Sequence, residues 1–161
     1  MTTVKRILFV CLGNIVRSPL AEALFLQLAA RAQVGDLYDA DSAGTGGWHT
    51  GEQPDHRMRS VAAQRGLQYT HRARKFERSD FTRFDLVVAM DRENQADLLA
   101  WASTPVQRAR IHMLREFDPL GGPNAEVPDP YYDGQEGFEK VFQVIERSCS
   151  GLLQALVEEK V

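Results

Sequence analysis

A cysteine and an arginine stand close together near the start of the chain, in a segment whose pattern suits anion chemistry. Cys11 ends an apolar run of strand length, and Arg17 lies six positions later, where a helical pattern begins. A loop between a strand and a helix directs successive backbone N–H groups at one point, where the helix dipole also favours negative charge. The pattern therefore predicts a pocket for a phosphate-sized dianion, in which the same fields hold Cys11 as a nucleophilic thiolate.

The residues inside this segment suit a tight anion-binding loop. Gly13 and Asn14 belong to the residue types that most readily adopt left-handed backbone conformations. Arg17 carries a planar guanidinium that can bind two oxygens of the anion. The spacing alone leaves a second interpretation open, in which Cys11 is a small apolar residue at a strand end and Arg17 lies at the surface.

The whole string at positions 10–19, Val-Cys-Leu-Gly-Asn-Ile-Val-Arg-Ser-Pro, resembles the signature loop of the low-molecular-weight protein tyrosine phosphatases. In that family a second motif, Asp-Pro followed by aromatic residues, lies far along the chain, and Asp-Pro-Tyr-Tyr stands here at 129–132. Ser-Ala-Gly-Thr at 42–45, Trp48 and Met-Asp at 90–91 are also similar to family positions. The resemblance therefore covers essentially the whole chain.

The resemblance implies double displacement at phosphorus without a metal or a cofactor. Cys11 would attack a phosphomonoester and form a cysteinyl phosphate, while Arg17 stabilises the phosphoryl oxygens. Asp129 would protonate the leaving oxygen and later deprotonate the attacking water. The implied substrates are phosphotyrosine proteins or small aryl phosphates, and phosphate-like oxyanions are the implied inhibitors.

The resemblance also implies three groups of supporting residues. The phosphate would be bound by Leu12, Gly13, Asn14, Ile15, Val16, Arg17 and Ser18. The loop would be braced by Asn14, Ser18, Ser42 and His71. An apolar slot for the phenyl ring would be walled by Leu12, Trp48, Tyr131 and Tyr132.

Several of these residues have simpler interpretations when each is taken alone. Asp129 precedes a proline, which is a common place for a turn residue, and His71 alone suits a surface or capping position. Ser18 has the form of a helix N-cap, although its hydroxyl could also donate to the loop thiolate. The second cysteine, Cys149, lies on the apolar stripe of the last helical segment, so we predict a core residue and not a resolving thiol.

The loop departs from the family pattern at Val16. Many members have a second cysteine there, which traps the oxidised nucleophile in a reversible disulfide. The chemistry of hydrolysis does not need that thiol. Val16 therefore predicts poor protection of Cys11 against oxidation.

Two other functions fit the same loop. A thiol-dependent arsenate reductase of this fold relays oxidation through two further cysteines after the third strand, but residues 80–100 contain no cysteine. A non-hydrolytic phosphate-binding or phosphocarrier module would hold phosphate without needing an acid at Asp129. The sequence therefore favours a phosphatase over both.

The composition excludes several classes of protein. With 161 residues, 43% hydrophobic and 25% charged, the chain suits a single globular domain spanning 1–161. A net charge of -3 provides no overall positive field for nucleic acid, and the apolar runs are too short for a membrane span or a secretory signal. Two cysteines suit neither a disulfide scaffold nor a metal cluster. We therefore expect a cytoplasmic protein with neither nucleic-acid nor membrane partners.

Strand-like and helical segments alternate along the chain. Strands are predicted at 6–10, 37–43, 85–89 and 111–114, and helices from Ser18, from residue 54 to before Gly66, at 92–100 behind an Asp91 cap, and from 137 to about 158. The alternation predicts an α/β fold, a single-domain doubly wound parallel sheet with helices on both faces, and the resemblance implies four strands. Ligands of such sheets bind beyond the carboxyl ends of the strands, where Cys11 and the irregular 117–134 segment would lie.

Overall fold

One parallel sheet organises the chain, of which the computed structural model describes residues 3–161. Its four strands lie in the order β2-β1-β3-β4. They are β1 (Lys5–Cys11), β2 (Tyr38–Gly44), β3 (Leu86–Ala89) and β4 (Ile111–Met113). The predicted fold class is confirmed. Six of the eight predicted strand ends differ from the observed ends by one residue, and the other two coincide with them.

The strand order places the end of β1 at a switch point of the sheet. After β1 the chain crosses to β2 on one side and then to β3 on the other, and β1 pairs in parallel with both. Connections that leave in opposite directions open a crevice at the carboxyl end of the strands between them. Cys11 is the last residue of β1 and lies at this crevice.

Helices cover both faces of the sheet. They are α1 (Arg17–Arg31), α2 (His56–Gln64), α3 (Asp80–Arg83), α4 (Arg92–Trp101), α5 (Pro105–Ala109) and α6 (Gln135–Val157). Most of the buried apolar residues of α1, α2 and α6 belong to one cluster, and those of α3 and α4 belong to a second. None of the helices in residues 3–161 is long and apolar enough to cross a membrane.

The apolar run of β1 is explained by its position between these two clusters. Ile7 and Phe9 face the first cluster, whereas Leu8 and Val10 face the second. Side chains alternate between the faces of a strand, so a strand covered on both sides is apolar at every position. Cys11 points to the same side of the strand as Ile7 and Phe9, and it belongs to the first cluster, which packs against α1 and α6.

The long helix α6 buries its apolar stripe against the first cluster. Cys149 is fully buried there, as predicted, and its Sγ lies 3.6 Å from the carbonyl oxygen of Ala21 in α1. Burial raises the pKa of this thiol, so it stays protonated. Cys149 is therefore a core residue of the α1–α6 interface.

One predicted helix cap is confirmed and one is wrong. Asp91 caps α4 in a capping box, as predicted. Asp55, which was not predicted as a cap, caps α2 by accepting from the N–H of Arg57. The prediction for Ser18 is wrong, because α1 begins at Arg17 and has Val16 as its N-cap. Within residues 3–161, no side chain caps the first turn of α1 by a hydrogen bond. Ser18 lies inside the first turn, where its hydroxyl is used for another contact.

Two short helices, α3 and α5, were not predicted. The sequence contains a signal for α5, because Thr104 and Pro105 are residue types typical of an N-cap and of a first helical turn. In the structure Thr104 accepts from the N–H of Gln107 and Pro105 occupies the first turn. The four residues of α3 are too few to produce a helical period in the sequence.

Candidate active site

Cys11 lies at the floor of the crevice with only 2% of its surface exposed. Its Sγ is 3.0 Å from Ser18 Oγ, and the backbone N–H of Asn14 donates to it over 3.3 Å. The hydroxyl that resembled a helix cap in the sequence is thus turned toward the thiol.

The loop after Cys11 folds back over the thiol through one left-handed residue. Asn14 has φ +57°, in agreement with its predicted role, but Gly13 does not adopt a positive φ. Gly13 is closely packed, because a Cβ there would lie 3.0 Å from Cδ2 of His49. Within residues 3–161 no protein oxygen accepts from the N–H groups of Ile15 and Val16, so these donors are free for an anion.

Arg17 is buried beside the thiol, with 3% of its side chain exposed. Its Nη1 donates to Asp91 Oδ2 over 2.7 Å and to the Val127 carbonyl over 3.0 Å. Its Nη2 lies 3.7 Å from Asp129 Oδ2. Burial opposes the charge of Arg17, but the negative charges of Cys11, Asp91 and Asp129 outweigh it and raise the pKa. The guanidinium is therefore charged and fixed in direction.

The carboxylate of Asp91 accepts hydrogen bonds from two parts of the site. Its Oδ1 accepts from the N–H of Asn94 over 2.8 Å and caps α4, while Oδ2 accepts from Arg17. Sequence reasoning identified the cap but missed the contact with Arg17. The two residues are 74 positions apart, and only the neighbouring positions of β1 and β3 bring them together.

Asp129 reaches the same crevice from the irregular segment before α6. Its side chain is 45% exposed, and its Oδ1 accepts from the N–H of Tyr131 over 3.1 Å. That short-range bond is an Asx turn, in which the carboxylate folds back on its own backbone. Oδ2 remains free to face Arg17 and the crevice.

A cavity of about 260 Å³ opens at this crevice. Its lining comprises Cys11, Leu12, Gly13, Ile15, Val16, Arg17, Trp48, His49, Asp129, Tyr131 and Tyr132. Trp48 and Tyr132 are 73% and 96% exposed, so they form its rim and not its floor. Gly46 lies against the indole, because a Cβ there would overlap Cζ3 of Trp48 in its present position.

His49 was missed by sequence reasoning. Its Nδ1 is 2.7 Å from Glu52 Oε2, and its ring covers Gly13 at the cavity wall. The only signal was its place next to Trp48 in a glycine-rich loop, which does not distinguish a wall residue from an exposed one.

A hydrogen-bonded network holds the loop from behind, centred on the side-chain amide of Asn14. Its Nδ2 donates to Ser18 Oγ over 2.8 Å and to Ser42 Oγ over 3.0 Å. Its Oδ1 accepts from His71 Nε2 over 2.8 Å and from the N–H of Arg74 over 2.9 Å. The other three predicted bracing residues, Ser18, Ser42 and His71, thus all contact Asn14, whose side-chain amide has a partner for each of its donors and acceptor sites.

Glu22 extends this network and was not predicted. Ser42 Oγ donates to Glu22 Oε1 over 2.7 Å, and His71 Nδ1 lies 3.5 Å from the same oxygen. Burial raises the pKa of Glu22 to about 7 and lowers the pKa of His71. Near neutral pH neither group is fully charged, so the network consists of hydrogen bonds more than of ion pairs.

One group of metal-ligand type occurs in residues 3–161, comprising Glu22, Asp41 and His71, whose donor atoms lie within 4.8 Å of one another. Arg74 Nη2 is 3.2 Å from Asp41 Oδ2, so a cation there would meet the guanidinium charge. The group also shares its Glu22 and His71 atoms with the bracing network. These contacts favour bracing over metal binding.

Comparisons with known proteins agree with this geometry. A family model described as "Low molecular weight phosphotyrosine protein phosphatase" matches residues 6–161. The chain is 46% identical to a Streptomyces coelicolor low molecular weight protein-tyrosine-phosphatase, over 96% of this chain and 94% of that one. It superposes on a crystal structure of an Entamoeba histolytica protein tyrosine phosphatase with a TM-score of 0.93 and 39% identity, over 98% and 99% of the two chains. A structure named "drosophila arginine phosphatase" matches with a TM-score of 0.85 and 34% identity, over 93% and 96%.

Proposed function

Because the chain belongs to the low molecular weight phosphotyrosine protein phosphatase family, we propose that Cys11, Arg17 and Asp129 carry out its hydrolysis of phosphotyrosine. The observation that carries this assignment is that a buried thiol, a buried guanidinium and a half-exposed carboxylate line one cavity. Phosphotyrosine-containing molecules are the substrates of the family, and the fine assignment of roles is our inference.

Substrate binding begins with the phosphate dianion. The free N–H groups of the loop and the guanidinium of Arg17 converge on the space above Cys11. Asp91 and the Val127 carbonyl hold Arg17 in place, so the site does not reorganise when charge develops on the phosphoryl oxygens. Most of the catalytic stabilisation is then positioning and electrostatics.

In the first step the Cys11 thiolate attacks phosphorus opposite the phenolic oxygen. The S–P bond forms, the P–O bond to tyrosine breaks, and Asp129 transfers its proton to the departing oxygen.

In the second step a water molecule attacks the cysteinyl phosphate. The Asp129 carboxylate takes a proton from the water, the S–P bond breaks, and inorganic phosphate leaves with the thiolate restored. No oxidant, reductant or cofactor enters the balance. Phosphate-like oxyanions would occupy the same site, so we propose that they inhibit competitively.

The rim of the cavity favours phenyl phosphates. Leu12, Trp48, Tyr131 and Tyr132 offer apolar surface on which a phenyl ring can stack while its phosphate reaches Cys11. A phosphoserine side chain is shorter and would place its phosphorus above the loop. Phosphoarginine is the important comparison substrate, because one of the similar structures is named as an arginine phosphatase.

We predict hydrolysis of a phosphotyrosine peptide in the presence of excess EDTA at the same rate as in its absence. Phosphoserine peptide should react slower by about two orders of magnitude or more, since the site discriminates through its walls. The measurement is steady-state release of phosphate from phosphotyrosine, phosphoserine and phosphoarginine substrates. Loss of activity in EDTA with recovery on adding a metal would contradict the mechanism, and a higher kcat/KM on phosphoarginine would reassign the leaving group.

A further prediction concerns oxidation and follows from Val16, which stands where many family members have a cysteine. Its side chain is 4% exposed and packs in the core, and Cys149 is held in the α1–α6 interface, so no thiol stands ready to capture an oxidised Cys11. We expect peroxide to carry Cys11 beyond sulfenic acid to sulfinic acid, with little activity recovered on adding thiol. A Val16→Cys variant should recover most of its activity. Full recovery of the parent protein, with a Cys11–Cys149 disulfide seen by mass spectrometry, would contradict this prediction.

We also propose a cytoplasmic location, which the composition predicts. Both cysteines are free thiols, as suits a reducing compartment. Nucleic acid and membranes are not among the proposed partners.

A further inference from the structure

Arg57, in the first turn of α2, links the two loops of the site. We call residues 11–18 the phosphate-binding loop and residues 129–132 the acid loop. On the side of the phosphate-binding loop, the N–H of Asp55 donates to the Ile15 carbonyl over 2.8 Å. The carboxylate of Asp55 then accepts from Arg57, over 3.2 Å from Nε and 2.9 Å from Nη2.

The other end of the guanidinium reaches the acid loop. Arg57 Nη1 donates to the Tyr131 carbonyl over 2.9 Å, and the N–H of Tyr131 donates to Asp129 Oδ1. The guanidinium also lies over two rings, 5.1 Å from the centre of Tyr131 and 4.5 Å from that of Phe138 in α6. A continuous path of contacts therefore runs from Ile15 to Asp129.

The charges in this path are maintained by their mutual contacts. Asp55 is buried, with 8% of its side chain exposed. Burial opposes its ionised form, but the hydrogen bonds from Arg57 outweigh burial and lower the pKa of Asp55. The pair therefore stays ionic, and its two-point geometry suits a planar guanidinium better than a lysine ammonium.

We propose that Arg57 is a positioning residue, which sets the distance between Asp129 and a phosphoryl group held by the phosphate-binding loop. Arg57 does not line the cavity, so it acts through the acid loop and not on the substrate. The inference rests on the proposed acid role of Asp129. It goes beyond that role because it identifies what fixes the acid in reach of the leaving oxygen.

The first test compares leaving groups in an Arg57→Met variant, which keeps an apolar stem over Phe138. Misplacement of an acid by an ångström costs about 10- to 100-fold in rate, so kcat/KM on a phosphotyrosine peptide should fall by that amount. On nitrophenyl phosphate, whose leaving group departs without a proton, the loss should stay within about threefold. Arg57→Lys should recover only part of the loss, because an ammonium cannot bond Asp55 twice and Tyr131 together.

The control is Arg59→Met on the same helix. Arg59 donates through Nε to the Pro54 carbonyl and makes no hydrogen bond or ion pair with the acid loop. Its ratio of rates on the two substrates should equal that of the parent protein. Thermal midpoints of all variants show whether the losses follow stability instead.

The second test is a double-mutant cycle. In an Asp129→Asn background, Arg57→Met should cost no more than about twofold further on phosphotyrosine, because there is no acid left to position. Equal losses on both substrates, or a full loss that persists beside Asp129→Asn, would overturn the positioning role and leave Arg57 a stabilising residue. An Asp129→Asn variant without leaving-group selectivity is a distinct result, which would overturn the acid role itself and this inference with it.

Discussion

Replacing Cys11 by serine is expected to reduce turnover by more than about a thousandfold, the scale on which the loss of a nucleophile acts. A serine hydroxyl at this position is a poor nucleophile, because it stays protonated near neutral pH, whereas a thiol ionises far more readily. Binding of phosphate or vanadate should remain close to that of the parent protein. The loop N–H groups and Arg17 are unchanged, and they provide most of the contacts with the anion.

The measurement pairs single-turnover kinetics with calorimetric titration of vanadate. Cys149→Ser is the matched control, because it makes the same change at the other cysteine of the chain, in the α1–α6 interface. It should lower stability while leaving the turnover of the folded enzyme unchanged. Near-normal turnover by Cys11→Ser would refute the nucleophile assignment, and loss of turnover by Cys149→Ser in the folded state would show that the second thiol takes part.

Replacing Asp129 by alanine is expected to slow hydrolysis of phosphotyrosine peptides by about two to four orders of magnitude, the range for a positioned general acid. Tyrosine has a phenol with a pKa of about 10 and needs a proton as its P–O bond breaks. Nitrophenolate departs adequately without one. The loss in kcat/KM should therefore be larger on the phosphotyrosine peptide than on nitrophenyl phosphate. Asp129→Asn should behave alike while keeping the turn at Tyr131.

Two other carboxylates in the irregular segment serve as comparisons. Asp118 is paired with Arg147 over 2.6 Å and with Arg115 over 3.0 Å, and its pKa is lowered to about 2, chiefly by the hydrogen bond from Arg147. Asp118 is held by two arginines and does not line the cavity, so it is a structural carboxylate. Asp133→Ala, close to the acid loop, is the matched control. Any loss in its kcat/KM should be the same on the phosphotyrosine peptide and on nitrophenyl phosphate. If Asp133→Ala shows the selective loss and Asp129→Ala does not, the acid is Asp133.

The sequence by itself determined the fold class, and it predicted the loop at Cys11 and, through the family resemblance, the Asp-Pro motif at Asp129. Each of these depends on neighbours along the chain. A continuous apolar strand followed by a loop and a helix dictates where Cys11 and Arg17 lie, and the alternation of such units dictates a parallel sheet. Local patterns also predicted the cap at Asp91 and the core position of Cys149.

Only the tertiary structure decided which partners these residues meet. Arg17 contacts Asp91, which is 74 positions away along the chain, and Val127, which is 110 positions away. Arg57 contacts Tyr131, which is also 74 positions away. Such contacts depend on the order β2-β1-β3-β4, which brings distant loops to one crevice. Ser18 shows the same limit at short range. Its type and its proline neighbour indicate an N-cap, but the start of α1 at Arg17 turns its hydroxyl toward Cys11, because the backbone of a folded loop decides where a side chain points.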